Sequence, residues 1–173
     1  MFREMRRFKE VLPAEETAAI LERGASGVLA VAGDDDYPYA VPMSYVFDKE
    51  GAKLYFHCAR SGHKLDAIRR NPKASFAVVD MDHIVPEEYT TYFRSAIVFG
   101  RIRIMEDDGE KLAALIKLAK KYAPDDAPAN MHRAIDREWD QVCLLEMAVE
   151  HMSGKEAIEL VRARAQEHCA SEK

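Results

Sequence analysis

The chain has 173 residues, enough for one domain with a substantial core and short for two independent ones. Its 25 basic and 30 acidic residues leave a net charge of −5, which argues against a nucleic-acid surface, and 48% hydrophobic with 32% charged residues is the composition of a globular protein. No apolar run reaches the ~18 residues of a membrane helix, the opening MFREMRRFKEVLP lacks the apolar centre of a secretion signal, and the scattered Cys58, Cys143 and Cys169 suit a reducing cytoplasm better than a disulfide framework.

PAEETAAILERG, residues 13–24, predicts a short helix with acids in its first turn and glycine at its stop. GVLAVAG (27–33) is an apolar run bounded by glycines and reads as a buried strand; DDDYP (34–38) is a turn. YAVPMSYVFD (39–48) predicts a second strand, in which Pro42 demands a sheet edge, a bulge or an interrupted ladder. After the turn DKEG, AKLYFHC (52–58) is a third strand, and a helix over 62–70 follows, with Ser61 as its natural N-cap. KASFAVVD (73–80) is a fourth strand, MDHIVPEEYT an irregular loop, and YFRSAIVFGRIRIME (92–106) a long fifth strand in which Gly100 marks a bulge or a close backbone approach.

Residues 107–124 form an amphipathic helix with acids first and lysines last. DDAPANMHRAIDREW reads as a loop with a short helical turn, DQVCLLEMAVEHMSG (140–154) as a sixth strand, and 155–169 as a closing helix with a wet basic face. Strands joined by tight turns pair antiparallel, and strands apolar on both faces, such as GVLAVA and FAVV, suit a closed barrel. The expectation is one mainly β domain over 1–173, a six-stranded antiparallel barrel with flanking helices.

Two stretches carry chemistry. In RSGHK, His63 and Lys64 stand at a helix start, where cations cost roughly 0.3–1 kcal/mol each. Either this is a solvated turn, or an anion sits there and reverses the sign of the effect, with Gly62 allowing its approach. In AVPMSY, backbone groups around Pro42 are released from the ladder and could bond the edge of a heteroaromatic ring. His57, Cys58, His63 and His83 match no zinc spacing, so no metal is expected. There is no Gly-x-Ser-x-Gly elbow of a hydrolase.

In this order the segments GVLAVAGDDDYPYAVPMSY, LYFHCARSGHKLDAIRRNPKASFAVV and RSAIVFGRI resemble the pyridoxamine 5′-phosphate oxidase-like flavin-binding split barrels, and within them the 5-nitroimidazole antibiotic resistance proteins. The resemblance implies a split β-barrel, a homodimer, and FMN (FAD as the alternative) in clefts between subunits. It implies that Val41, Pro42, Met43 and Ser44 lie along the flavin ring, that His57 and Cys58 stand at a strand end beside it, that His63 and Lys64 hold its phosphate, and that Ser95 is contributed by the second subunit. It also implies a catalytic role for His63. The chain departs from the oxidases proper at Val41, where they carry arginine, and in lacking their C-terminal Arg and His segment, which argues against oxidation of pyridoxamine phosphate. The implied activity is a flavin-dependent oxidoreductase acting on a small nitroaromatic or quinone-like acceptor, without membrane or nucleic acid. The alternatives are a flavin-storage protein without turnover and a haem-binding split barrel.

Overall fold

Leu54 and Phe56, Phe76 and Val78, Ala96 and Val98, and Leu145 and Met147 are pairs two residues apart, and all eight side chains are fully buried. That period puts one face of four different strands into a single interior. The computed structural model describes residues 2–171, with side chains as far as residue 166. In chain order the elements are β1 (Val11–Leu12), α1 (Ala14–Arg23), β2 (Ser26–Ala32), β3 (Pro38–Ser44), β4 (Val46–Asp48), β5 (Lys53–Ala59), α2 (His63–Arg70), β6 (Lys73–Val85), β7 (Thr90–Ile104), α3 (Asp108–Tyr122), α4 (Pro128–Glu138), β8 (Val142–Glu156) and α5 (Ile158–Ser171).

The strands pair antiparallel in the order β3-β2-β6-β7-β8-β5-β4, with β1 adding two residues to β8. Only Tyr45 separates β3 from β4, so the chain itself joins the two ends of that order and the sheet closes. The structure counts eight strands against the six expected, for two reasons. The strand over 39–48 changes partners at Tyr45, pairing with β2 before it and β5 after it, and the short β1 lies outside the circuit. The barrel itself has the expected antiparallel, helix-flanked architecture. Pro42 sits as its missing N–H requires, on a strand whose second edge is unpaired among the described residues.

An aromatic trio fills the middle: the Tyr45 and Phe56 rings lie 4.7 and 5.1 Å from Phe76, both edge-on. Burial of each such side chain contributes roughly 1.5–3 kcal/mol. α1 buries Ile20 and Leu21 against the barrel, and α2 buries Leu65 and Ile68 in the same core. α3 lies on the outer wall, where Ala114 and Leu118 pack against Tyr55 and Leu144.

Several elements differ from their sequence reading. The segment expected as an irregular loop continues β6 and β7 into a long hairpin turning at Pro86–Glu88; a bulge after Val79 resets the register, and Tyr89 takes a left-handed conformation. Residues 128–138 form a full helix, with Pro128 in its first turn, where a missing N–H costs nothing. β8 runs on to Glu156, so the last helix starts three residues later than expected. Gly100 meets both expectations: the β7–β8 register shifts there, and a Cβ would lie 2.0 Å from the Ala148 carbonyl.

The break at Tyr45 is held from outside the sheet. The Tyr122 hydroxyl, on the last turn of α3, accepts the Tyr45 N–H at 2.8 Å and reaches the carbonyls of Tyr45 at 2.7 Å and Ala25 at 2.6 Å. Lys121 donates to the Gly24 carbonyl at 2.6 Å with its ammonium 4.0 Å from the Tyr45 ring centroid. Tyr122→Phe therefore leaves a backbone N–H of a fully buried residue unpaired. It should lower unfolding stability in urea by about 1–2 kcal/mol without changing the m-value.

Candidate functional site

Where the chain turns at Tyr45, β3 parts from β5 and leaves a seam in the barrel wall. β3 alternates across it. Val41 and Met43 face the core, while Pro42 and Ser44 lie on the outer side. The unpaired edge of β3 borders the seam. On β5, His57 points outward and is exposed, whereas Cys58 turns inward, directly opposite Cys143 of β8. Ser44 and His57 together line a cavity of about 410 Å³ between the barrel wall and the helices α3 and α4.

α2 starts at the end of the seam. Its N-cap is Gly62 and not the expected Ser61, and no side chain caps it. Gly62 has φ 129° and ψ 168°, a conformation that L side chains rarely adopt, with no atom within 4 Å of where a Cβ would stand. The Leu65 and Asp66 amides bond back to the Gly62 carbonyl, so the amides of His63 and Lys64 are the donors that a helix start leaves outside its own ladder. The His63 ring stacks on Tyr39 of β3 with centroids 4.3 Å apart, which ties α2 to the seam. His63 Nε2 is 3.5 Å from Asp34, and Asp34 is held by Arg70 at 2.6 Å. Lys64 has no ion-pair partner among the described residues.

The structure thus brings together Pro42, Ser44, His57, His63 and Lys64 along one seam. Val41, Met43 and Cys58 belong to the same strands, but their side chains go to the core. Ser95 is not on the seam. It pairs with Val79 of β6 and Lys155 of β8 on the outer face of β7, with β6 and β2 between it and β3. Tyr39, Tyr122 and the helical wall of the cavity were not singled out from sequence. The spacing Met131, Ala134, Ile135, Glu138 carries that signal, since i, i+3, i+4 and i+7 form one helix face, and all four line the cavity.

The arrangement offers an uncapped helix start, a free strand edge and a half-enclosed apolar cavity in sequence. The amides and Lys64 suit a phosphate. The strand edge suits the polar edge of a flat heteroaromatic ring. Among the described residues no cluster of His, Cys, Asp or Glu is arranged to hold a metal ion, and no helix is long and apolar enough to cross a membrane.

The sequence profile of the pyridoxamine 5′-phosphate oxidase family matches residues 13–156. Among solved structures, a candidate 5-nitroimidazole antibiotic resistance protein from Bacteroides thetaiotaomicron is 22% identical, with 84% of this chain and 85% of that one covered at a TM-score of 0.70. An FAD-binding protein from Mesorhizobium loti is 27% identical over 85% of this chain and 96% of that one, TM-score 0.57. An FAD- and haem-binding protein from Mycobacterium smegmatis is 20% identical over 86% and 73%, TM-score 0.67. No curated protein matches the chain significantly.

Burial pushes the Cys58 thiol up to about 11, with Cys143 adding to the rise and Lys64 opposing it. A raised value keeps the sulfur protonated at neutral pH, and only the thiolate is a nucleophile. Iodoacetamide should therefore alkylate Cys58 at least about tenfold more slowly than free cysteine between about pH 7 and 9, read by peptide mass. Labelling at the free-cysteine rate would place the thiol in solvent.

Proposed function

Because the chain belongs to the pyridoxamine 5′-phosphate oxidase family, we propose that it binds a flavin nucleotide, FMN or FAD, in the seam between β3 and β5 and acts as an oxidoreductase on a small aromatic acceptor. The observation that carries this reading is the start of α2. It is uncapped, backed by a glycine that nothing crowds, and followed by a lysine without a carboxylate partner, beside a free strand edge. The FAD-binding relative from Mesorhizobium loti supports flavin as the class of cofactor.

The residues fit such a group. The amides of His63 and Lys64 and the Lys64 ammonium would receive the phosphate. Pro42 and the free edge of β3 would border the ring, beside Ser44 and His57. His63, stacked on Tyr39, would stand at the phosphate end, which favours binding over the catalytic role that the resemblance implies. A bound flavin supplies the electron transfer, and the protein supplies position and electrostatics.

A second copy of the chain completes the reading. The outer face of β2, β6, β7 and β8 aligns Val28, Ala77, Ile97 and Ser153 in one row and Ala30, Ser75, Phe99 and His151 in the next. Val28, Ile97 and Phe99 are each close to 40% exposed and Val79 is 68% exposed, an apolar face of the kind that marks an interface. Ser95 lies on this same outer face, with β6 and β2 between it and its own β3, so in this reading it meets a flavin across such a contact.

Lys64→Ala should weaken binding of FMN by about 1.5–3 kcal/mol and leave riboflavin, which has no phosphate, unchanged. Flavin titration reads both, and equal FMN affinity in the variant would move the phosphate elsewhere. The purified chain should show flavin absorption; a Soret band in its place would make it a haem protein. Light scattering should give a dimer, and Ile97→Asp should yield monomers with weakened flavin binding. A wild-type monomer with full flavin occupancy would remove the partner's contribution.

A further inference from the structure

We propose that the cavity between the outer barrel wall and the α3–α4 pair is a binding site for a neutral or cationic planar aromatic molecule, and that its charge excludes anions. Its volume of about 410 Å³ falls in the range of small-molecule sites, ~300–1,000 Å³. Its walls are chiefly apolar: Leu115 and Leu118 on α3, Met131 and Ile135 on α4, Val142 on β8. Among the described residues polar side chains enter at three places, one of them Tyr122, whose hydroxyl is engaged at Tyr45. Ser44 and His57 face it from the barrel, and Asp126 and Glu138 face it from the two ends of α4.

The charge balance selects the ligand. Among the described residues no lysine or arginine lines the cavity, whereas Asp126 and Glu138 do; Glu138 is paired with Arg137 at 3.0 Å, so the uncompensated acid is Asp126. Asp126 Oδ1 accepts the Ala127 amide and the Asn130 side chain, both at 2.9 Å, which fixes this carboxylate at the start of α4. A phosphate or carboxylate entering here would meet the Asp126 charge and find no cation on the lining. A neutral nitroaromatic or quinone meets apolar walls, and a cation gains the acids. The phosphate-binding groups of the seam lie at the other end of β3, so the two sites divide by charge: anion at α2, apolar ring under α4.

The roof of the cavity is lightly held. Ile135 is the one buried residue of α4, and Ala134, which lines the cavity, is otherwise exposed. A helix anchored so sparingly can yield to let a ligand in. Since Ser44 and His57 border both cavity and seam, the acceptor of the preceding subsection would sit here; that assignment rests on the flavin reading, while binding in the cavity does not.

The chain's single tryptophan, Trp139, follows the lining residue Glu138 at the end of α4, outside the cavity lining, with the Lys111 ammonium 4.6 Å from its ring centroid. The test is quenching of Trp139 fluorescence in the full chain by 4-nitrobenzyl alcohol, a neutral probe, and by 4-nitrobenzoate, its anionic counterpart. Quenching by the alcohol should saturate, with the benzoate about tenfold weaker beside the Asp126 carboxylate. Ala134→Phe, which fills the cavity from an exposed position, should abolish saturation. Asp126→Asn with Glu138→Gln should bring the two probes within about threefold of each other. Linear, non-saturable quenching, or saturation untouched by Ala134→Phe, overturns the site. Equal affinity for the two probes in the wild type overturns the charge selection. Flavin titration of the same samples is read separately: probe binding without flavin binding sinks the flavin reading alone, and flavin binding without probe binding sinks the cavity alone.

Discussion

A strand that changes partners must leave its backbone groups unpaired at the point of exchange, and in this barrel that point is Tyr45. Its N–H and carbonyl lie between the ladder with β2 and the ladder with β5, in a residue with no solvent exposure. An unpaired buried amide costs about 1–3 kcal/mol, so something outside the sheet has to satisfy it. The Tyr122 hydroxyl does so, which fixes the last turn of α3 against the wall. The Tyr45 side chain is committed in the opposite direction, donating to the Leu21 carbonyl at 2.8 Å and packing edge-on to Phe76. Burial raises its phenol well above the usual tyrosine range, so it stays a neutral donor. One residue thereby joins α1, the core, the strand break and α3.

The seam follows from that break. Because β3 leaves β5, its second edge is unpaired, and Pro42 can occupy it without removing a ladder bond. Because α3 is tethered there, a cavity remains between the helix and the wall bearing Ser44 and His57. α2 enters the same region from β5, and the Tyr39–His63 stack sets its angle. The acidic tip at Asp34 is balanced locally by Arg70, which leaves Lys64 as the cation without a carboxylate at the helix start.

Where β7 and β8 meet the first residues and α5, the constraint is electrostatic. Glu156, fully buried, is paired with Arg94 at 3.2 Å and with Arg164. Glu10 is held by Arg7 at 3.3 Å and Lys155 at 3.2 Å. Breaking one side of such a pair strands a buried charge and typically costs about 3–5 kcal/mol. These pairs fasten the first residues and α5 to β8. Arg164, which in the sequence reads as part of a wet basic face, is in fact a partner for a buried acid.

The strands over 27–33, 52–58 and 73–80 were legible from sequence, as were the helices over 13–24 and 107–124, because local patterning decides elements of that length. The motif order was also enough to recognise the family, and Pro42 and Gly100 announced an edge and a bulge through what their backbones cannot do. Three things were decided only by the fold. The long β6–β7 hairpin and α4 carry polar, proline-containing sequences that read as loops, and each is fixed by pairing or packing against distant chain. The break at Tyr45 is invisible locally, since its cause is a hydroxyl 77 residues away. And the sides of β3 and β5, which divide Pro42, Ser44 and His57 from Val41, Met43 and Cys58, were set by closure of the barrel, because alternation gives two faces but only tertiary contact says which one is inside.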